Sequence, residues 1–157
     1  MAHAIEALIV LETDARAICD AIPGSRLVHG GAGRWLVPLT GPFDGAARDL
    51  RAGDPAETTP EQVAATLGGL IGRLATVGLM GPVVVAVTEY FGGQGTQQSA
   101  VIELGTLSHG PFVGGDAISR GLRLAGVDKG ECADEFEAVG LHRWRFTDDI
   151  AGTETKR

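Results

Sequence analysis

The stretch Val83–Leu104, VVVAVTEYFGGQGTQQSAVIEL, decides how this chain is read. Two runs rich in β-branched residues flank Gly92-Gly93-Gln94-Gly95, the pattern of an antiparallel hairpin. With those four residues as the loop, Phe91 faces Thr96, Glu89 faces Gln98, Val87 faces Ala100 and Val85 faces Ile102. Tyr90 then shares the other face with Gln97, Thr88 with Ser99, and Ala86 with Val101. A one-residue slip would exchange the two faces.

Reading upstream, Thr59-Pro60-Glu61-Gln62 is a helix start, with a capping Thr, Pro at the first helical position and Gln at the third. Val63, Leu67, Leu70, Ile71, Leu74 and Val77 follow as one apolar stripe. Gly68, Gly69 and Gly72 lie beside that stripe and are expected to let the helix approach a sheet closely. Between Val63 and Val87 the only charge is Arg73, long enough for a membrane span by length alone. Gly81-Pro82 breaks the run before a β-branched stretch, which predicts helix and then strand. Residues 40–58 read as a long loop.

Nearer the N-terminus, Ile5–Leu11 reads as a buried strand. Thr13 or Asp14 is placed to cap a short helix carrying Ala15, Ile18 and Ile22. Arg26–Val28 and Trp35–Val37 form a second hairpin around Gly30-Gly31-Ala32-Gly33. Downstream, a third helix opens at Gly114-Gly115-Asp116 with Ile118, Leu122 and Ala125 on one face. A fourth, about Glu131 to Val139, stops at Gly140, and Leu141–Phe146 reads as a last strand. The expected fold is α+β: a mainly antiparallel sheet of about five or six strands with helices packed on one face. The first six elements follow the order of a split βαβ unit. Residues 1–147 form a single domain in this reading, and 148–157 a polar tail.

Composition narrows the function. The 157 residues include 24 glycines and carry a net charge of −7. Seven prolines without a three-residue glycine period exclude collagen. Evenly spread acidity argues against binding a phosphate backbone, and two Trp, one Tyr and five Phe make a poor stacking platform. Nucleic acid and membrane are therefore not expected partners. Cys19 and Cys132 lie far apart with no metal-ligand spacing, and the N-terminus has no basic signal region, so a cytoplasmic location is expected.

Candidate sites are few. Neither glycine loop leads into a helix, so neither has the context of a phosphate cradle, and no GxSxG elbow is present. Their glycines read first as turn geometry and second as ligand-contacting backbone. His3, His29, His109 and His142 lack metal-ligand spacing, and neither a metal nor a cofactor is expected. Tyr90, Gly92, Gly93, Gln94, Gly95 and Gln97 cluster at one hairpin tip, where they would meet a ligand or a partner's backbone. If the chain is an enzyme, Glu89 as base and His109 are the candidate catalytic residues, in a pocket between the 92–95 tip and the 40–58 loop. Residues 128–137 hold five acids and one base. Glu135 and Glu137 would present an acidic face to a basic partner, with Trp144 and Tyr90 as anchors.

Tyr90-Phe91-Gly92-Gly93-Gln94-Gly95 with its following glutamines, the Asp116–Val127 helix, and Asp134-Glu135-Phe136 through Gly140-Leu141 together resemble small bacterial α+β proteins. Some of these act as immunity proteins in toxin systems. The resemblance covers roughly the C-terminal half and implies a cytoplasmic, acidic, non-catalytic partner binder. The leading expectation is thus a protein-binding domain. A small-ligand binder or enzyme is the alternative, and a homodimer through the 63–77 stripe is a third.

Overall fold

The computed structural model describes residues 3–44, 46–47, 67–91 and 94–152. In chain order the elements are β1 (His3–Leu11), α1 (Glu12–Ala21), β2 (Val28–His29), β3 (Arg34–Pro38), α2 (Gly68–Val77), β4 (Val83–Phe91), β5 (Gln94–Glu103), β6 (Thr106–Gly114), α3 (Ala117–Leu124), α4 (Glu135–Ala138) and α5 (Thr147–Ala151). Short 3₁₀ turns lie at Gly41–Phe43 and Leu141–Arg143. The six strands form one sheet in the order β2-β3-β1-β4-β5-β6, antiparallel at every pairing. The fold is α+β, and its first four strands keep the expected split βαβ order. Within the apolar run 63–87, residues 68–77 form α2 and 83–87 belong to β4, while 63–66 lie outside the described residues. No helix among the described residues is long and apolar enough to cross a membrane.

The helices do not gather on one face. Leu8, Val10, Val85, Val87, Ala100 and Ile102 point to the side covered by α1 and α2. Ile5, Ala7, Ile9, Val84, Ala86 and Val101 point to the other, where Ile118 and Leu122 of α3, Leu141 and Ile150 cover them. Side chains of a strand alternate between faces, so a strand apolar at consecutive positions needs two covers. β1 and β4 are such strands, and that is what overturns the one-faced expectation.

The β4–β5 hairpin pairs Phe91 with Gln94, Glu89 with Thr96 and Val87 with Gln98. Two residues rather than four therefore connect the strands, and every expected pair moves by two. An even shift leaves each side chain on its expected face. β6 replaces the strand expected at 141–146. Gly110-Pro111 lies in its middle, which reads as a break in sequence, but an edge strand tolerates proline because its outer N–H groups need no ladder partner. Residues 141–146 instead form a turn and a single parallel bridge between Ala4 and Phe146.

The start of the polar tail expected at 148–157 is packed into the fold. Ile150 is fully buried in the second core, and Thr147 Oγ1 accepts from the Glu6 N–H at 2.9 Å. The packed chain thus extends through α5, and 153–157 lie outside the described residues.

Candidate functional site

The polar cluster of the central hairpin holds the fold together. Thr88 Oγ1 accepts from the Ile5 N–H at 3.0 Å. Ser99 Oγ donates to the Ala117 carbonyl at 2.6 Å. Gln97, expected at a contact surface, is buried, and its Oε1 accepts from the Ile118 N–H at 3.2 Å. Its role is to satisfy an orphan donor in the first turn of α3. Tyr90 pairs with Gly95 and Phe91 with Gln94 on the β4–β5 ladder. Gly92, Gly93 and residues 48–58 of the expected pocket lie outside the described residues.

Glu89 and His109 are not brought together. Glu89 lies opposite Thr96 and His109 opposite Val101. At about 3.3 Å per residue that offset alone is roughly 16 Å along the sheet. Proton transfer between two such groups and one substrate needs hydrogen-bond reach, so they do not form one catalytic pair.

The acidic segment is also committed internally. Glu135 is 4% exposed and receives two bonds from Arg123, Nε at 3.0 Å and Nη2 at 3.4 Å. The Arg123 guanidinium beside it holds the Glu135 carboxyl below the usual range, against the opposing effect of burial. Asp134 caps α4 by accepting from the Glu137 N–H, and Glu137 Oε2 accepts from the Ala133 N–H at 2.7 Å. Glu135 therefore faces inward, paired with Arg123, and not onto the acidic surface expected of it. Trp144 packs partly buried against the second core. The glycine loop at 30–33 meets this same segment: Gly31 N–H donates to the Val139 carbonyl at 3.1 Å, and a Cβ on Gly31 would fall on the Ala138 carbonyl. Close backbone approach within the chain explains that glycine.

What sequence reading missed is an exposed apolar corner where α2 leads into β4 beside the β5–β6 turn. Met80 is 81% exposed and Leu104 is 83% exposed. Two adjoining depressions, of about 220 and 250 Å³, share Gly81 and Leu104. Leu74, Val83 and Ile102 line the first, and Met80, Pro82 and Glu103 the second. Leu104 and Gly105 are the two central residues of the β5–β6 turn, with φ of 51° and 77°. A turn with positive φ at both positions favours Asn or Gly; a leucine there costs about 1 kcal/mol or more. Leu104 is thus both strained and solvent-exposed. Leu-Gly between two strands was the signal available in the sequence.

The corner is held rigidly from below. Asp14, in the first turn of α1, is 2% exposed, and its two oxygens accept from the Met80 and Gly81 N–H groups, each at 2.8 Å. It serves this loop, not the helix cap expected of it. Arg73, the cation nearest in sequence on α2, donates to the Pro42 carbonyl and lies over the Phe43 ring. Among the described residues Glu103 is the one ionisable residue lining either depression. No group of three potential metal ligands occurs among the described residues.

No family model, curated protein or solved structure matches the chain.

Proposed function

We propose that this chain is a non-catalytic protein-binding domain, of the immunity or regulatory kind, and that it docks its partner on the Met80–Leu104 corner. The observation that carries the proposal is Leu104, an exposed leucine kept in a left-handed turn conformation that asparagine would adopt at less cost. Strain of this kind persists where the side chain has a use that outweighs it. Removing Met80 and Leu104 from water on docking would contribute about 1.5–3 kcal/mol per side chain, the scale of an interface anchor. The fixed loop lowers the ordering cost of binding, because Asp14 already holds Met80 and Gly81 in place.

The test is co-purification with mass spectrometry from cells that naturally make the protein. Wild type and Met80→Ser/Leu104→Asn serve as parallel baits. The proposal expects stoichiometric partners of the wild type to be lost by the double variant, while its unfolding midpoint stays level or rises. Partners retained at equal yield by the variant refute it.

A further inference from the structure

Resting on the docking reading above, we infer that the corner takes a partner segment in which a large aliphatic side chain stands beside an arginine or lysine. The two depressions differ in chemistry on either side of the Gly81–Leu104 ridge. One is walled by Leu74, Val83 and Ile102, and its described lining residues are all apolar. It fits the body of a leucine, isoleucine or methionine.

The other is lined by Met80, Pro82 and Glu103, with Met80 standing exposed beside it. Glu103 makes no ion pair with any described residue, and Arg73 is turned away to Pro42 and Phe43. Apolar carbon beside a carboxylate that no described residue pairs matches a cationic side chain, which lays its methylene stem on carbon and keeps its charge in water. An acidic side chain in the same place would meet Glu103 directly and be rejected. The net charge of −7 favours encounter with a cationic segment over an acidic one.

The full chain would be used to select from a random-sequence displayed peptide library, and binding of an enriched peptide followed by fluorescence anisotropy. Enriched sequences should place Arg or Lys within two residues of Leu, Ile or Met. Glu103→Gln should weaken binding about threefold and Glu103→Lys about tenfold, with the difference shrinking at high salt. Leu104→Asn should abolish binding without lowering the unfolding midpoint. Peptides that lose binding to Leu104→Asn yet ignore Glu103→Lys overturn this inference and leave the docking reading standing. Peptides indifferent to both Leu104→Asn and Met80→Ser, or no enrichment at all, overturn both. A light-scattering mass of two chains that returns to one in Leu104→Asn assigns the corner to a second copy and also overturns the cationic partner.

Discussion

Glycine to alanine, made once on each side of the sheet, should change stability in opposite directions. Gly72 lies in α2, exposed, with no atom of another described element within 4 Å of where a Cβ would stand. Alanine there adds helix propensity and meets nothing, a gain of about 0.8–1 kcal/mol. Gly121 lies buried in α3, where a Cβ would stand 2.7 Å from Ser99 Oγ, 3.3 Å from Ser99 Cβ and 3.5 Å from Val84 Cγ1. The same propensity gain is available, but Ser99 is fully buried and its Oγ is tied to the Ala117 carbonyl at 2.6 Å. Accommodating the methyl means shifting α3 outward and loosening that bond, which costs about 1–3 kcal/mol for overpacking and about 1 kcal/mol for the bond. The net effect of Gly121→Ala is a loss of about 1–3 kcal/mol. Urea unfolding read by circular dichroism measures both. In a chain of this size 1 kcal/mol moves the melting temperature by about 2–4 °C. Ser99→Ala removes the nearest atom, so Gly121→Ala should cost less in that background. Equal signs for Gly72→Ala and Gly121→Ala, or no coupling to Ser99, would refute the packing argument.

Two further outcomes follow from the buried carboxylates. Asp14→Ala leaves the Met80 and Gly81 N–H groups without their acceptor and should cost about 2–3 kcal/mol; hydrogen exchange should show these two amides among the most deprotected, and unchanged protection would contradict the assignment. Glu135 has a lowered pKa through its bond to Arg123, so it binds its proton less readily folded than unfolded. Its contribution is present above the unfolded value near 4.5 and is lost as pH falls through the lower folded value. Wild type should therefore lose melting temperature more steeply than Glu135→Gln below about pH 4.5; parallel slopes would remove the pair from the acid response.

The glycines show how far the chain could be read without coordinates. The 63–77 periodicity correctly separates the buried Leu70 and Leu74 from the residues beside them. Periodicity says that Gly68, Gly69 and Gly72 flank the stripe, but not how far around the helix the sheet reaches, and all three are exposed with no described neighbour within 4 Å. The close helix–sheet contact exists on the opposite face, at Gly121. The candidate site was less legible still. Thr88, Gln97 and Ser99 are polar whether they bind a ligand or cap a helix, and only the position of α3 and β1 decides between those roles. Met80 and Leu104 are apolar residues that composition assigns to a core, and their exposure depends on where α2 and β5 stop.

By itself the sequence determined the local order from β1 to β5 and the place of α3, though not β6: β-branched runs, helical stripes and glycine turns specify strands and helices because those patterns act within a few residues. It also determined the hairpin faces, since the side-chain period of two survives the two-residue shift in register. Only the tertiary structure decided that helices cover both sides of the sheet, that Asp14 serves a loop 66 residues away, and that Glu135 is spent on Arg123. Each of these depends on which distant surfaces meet, and burial and pairing energies belong to the assembled interface, not to either segment alone.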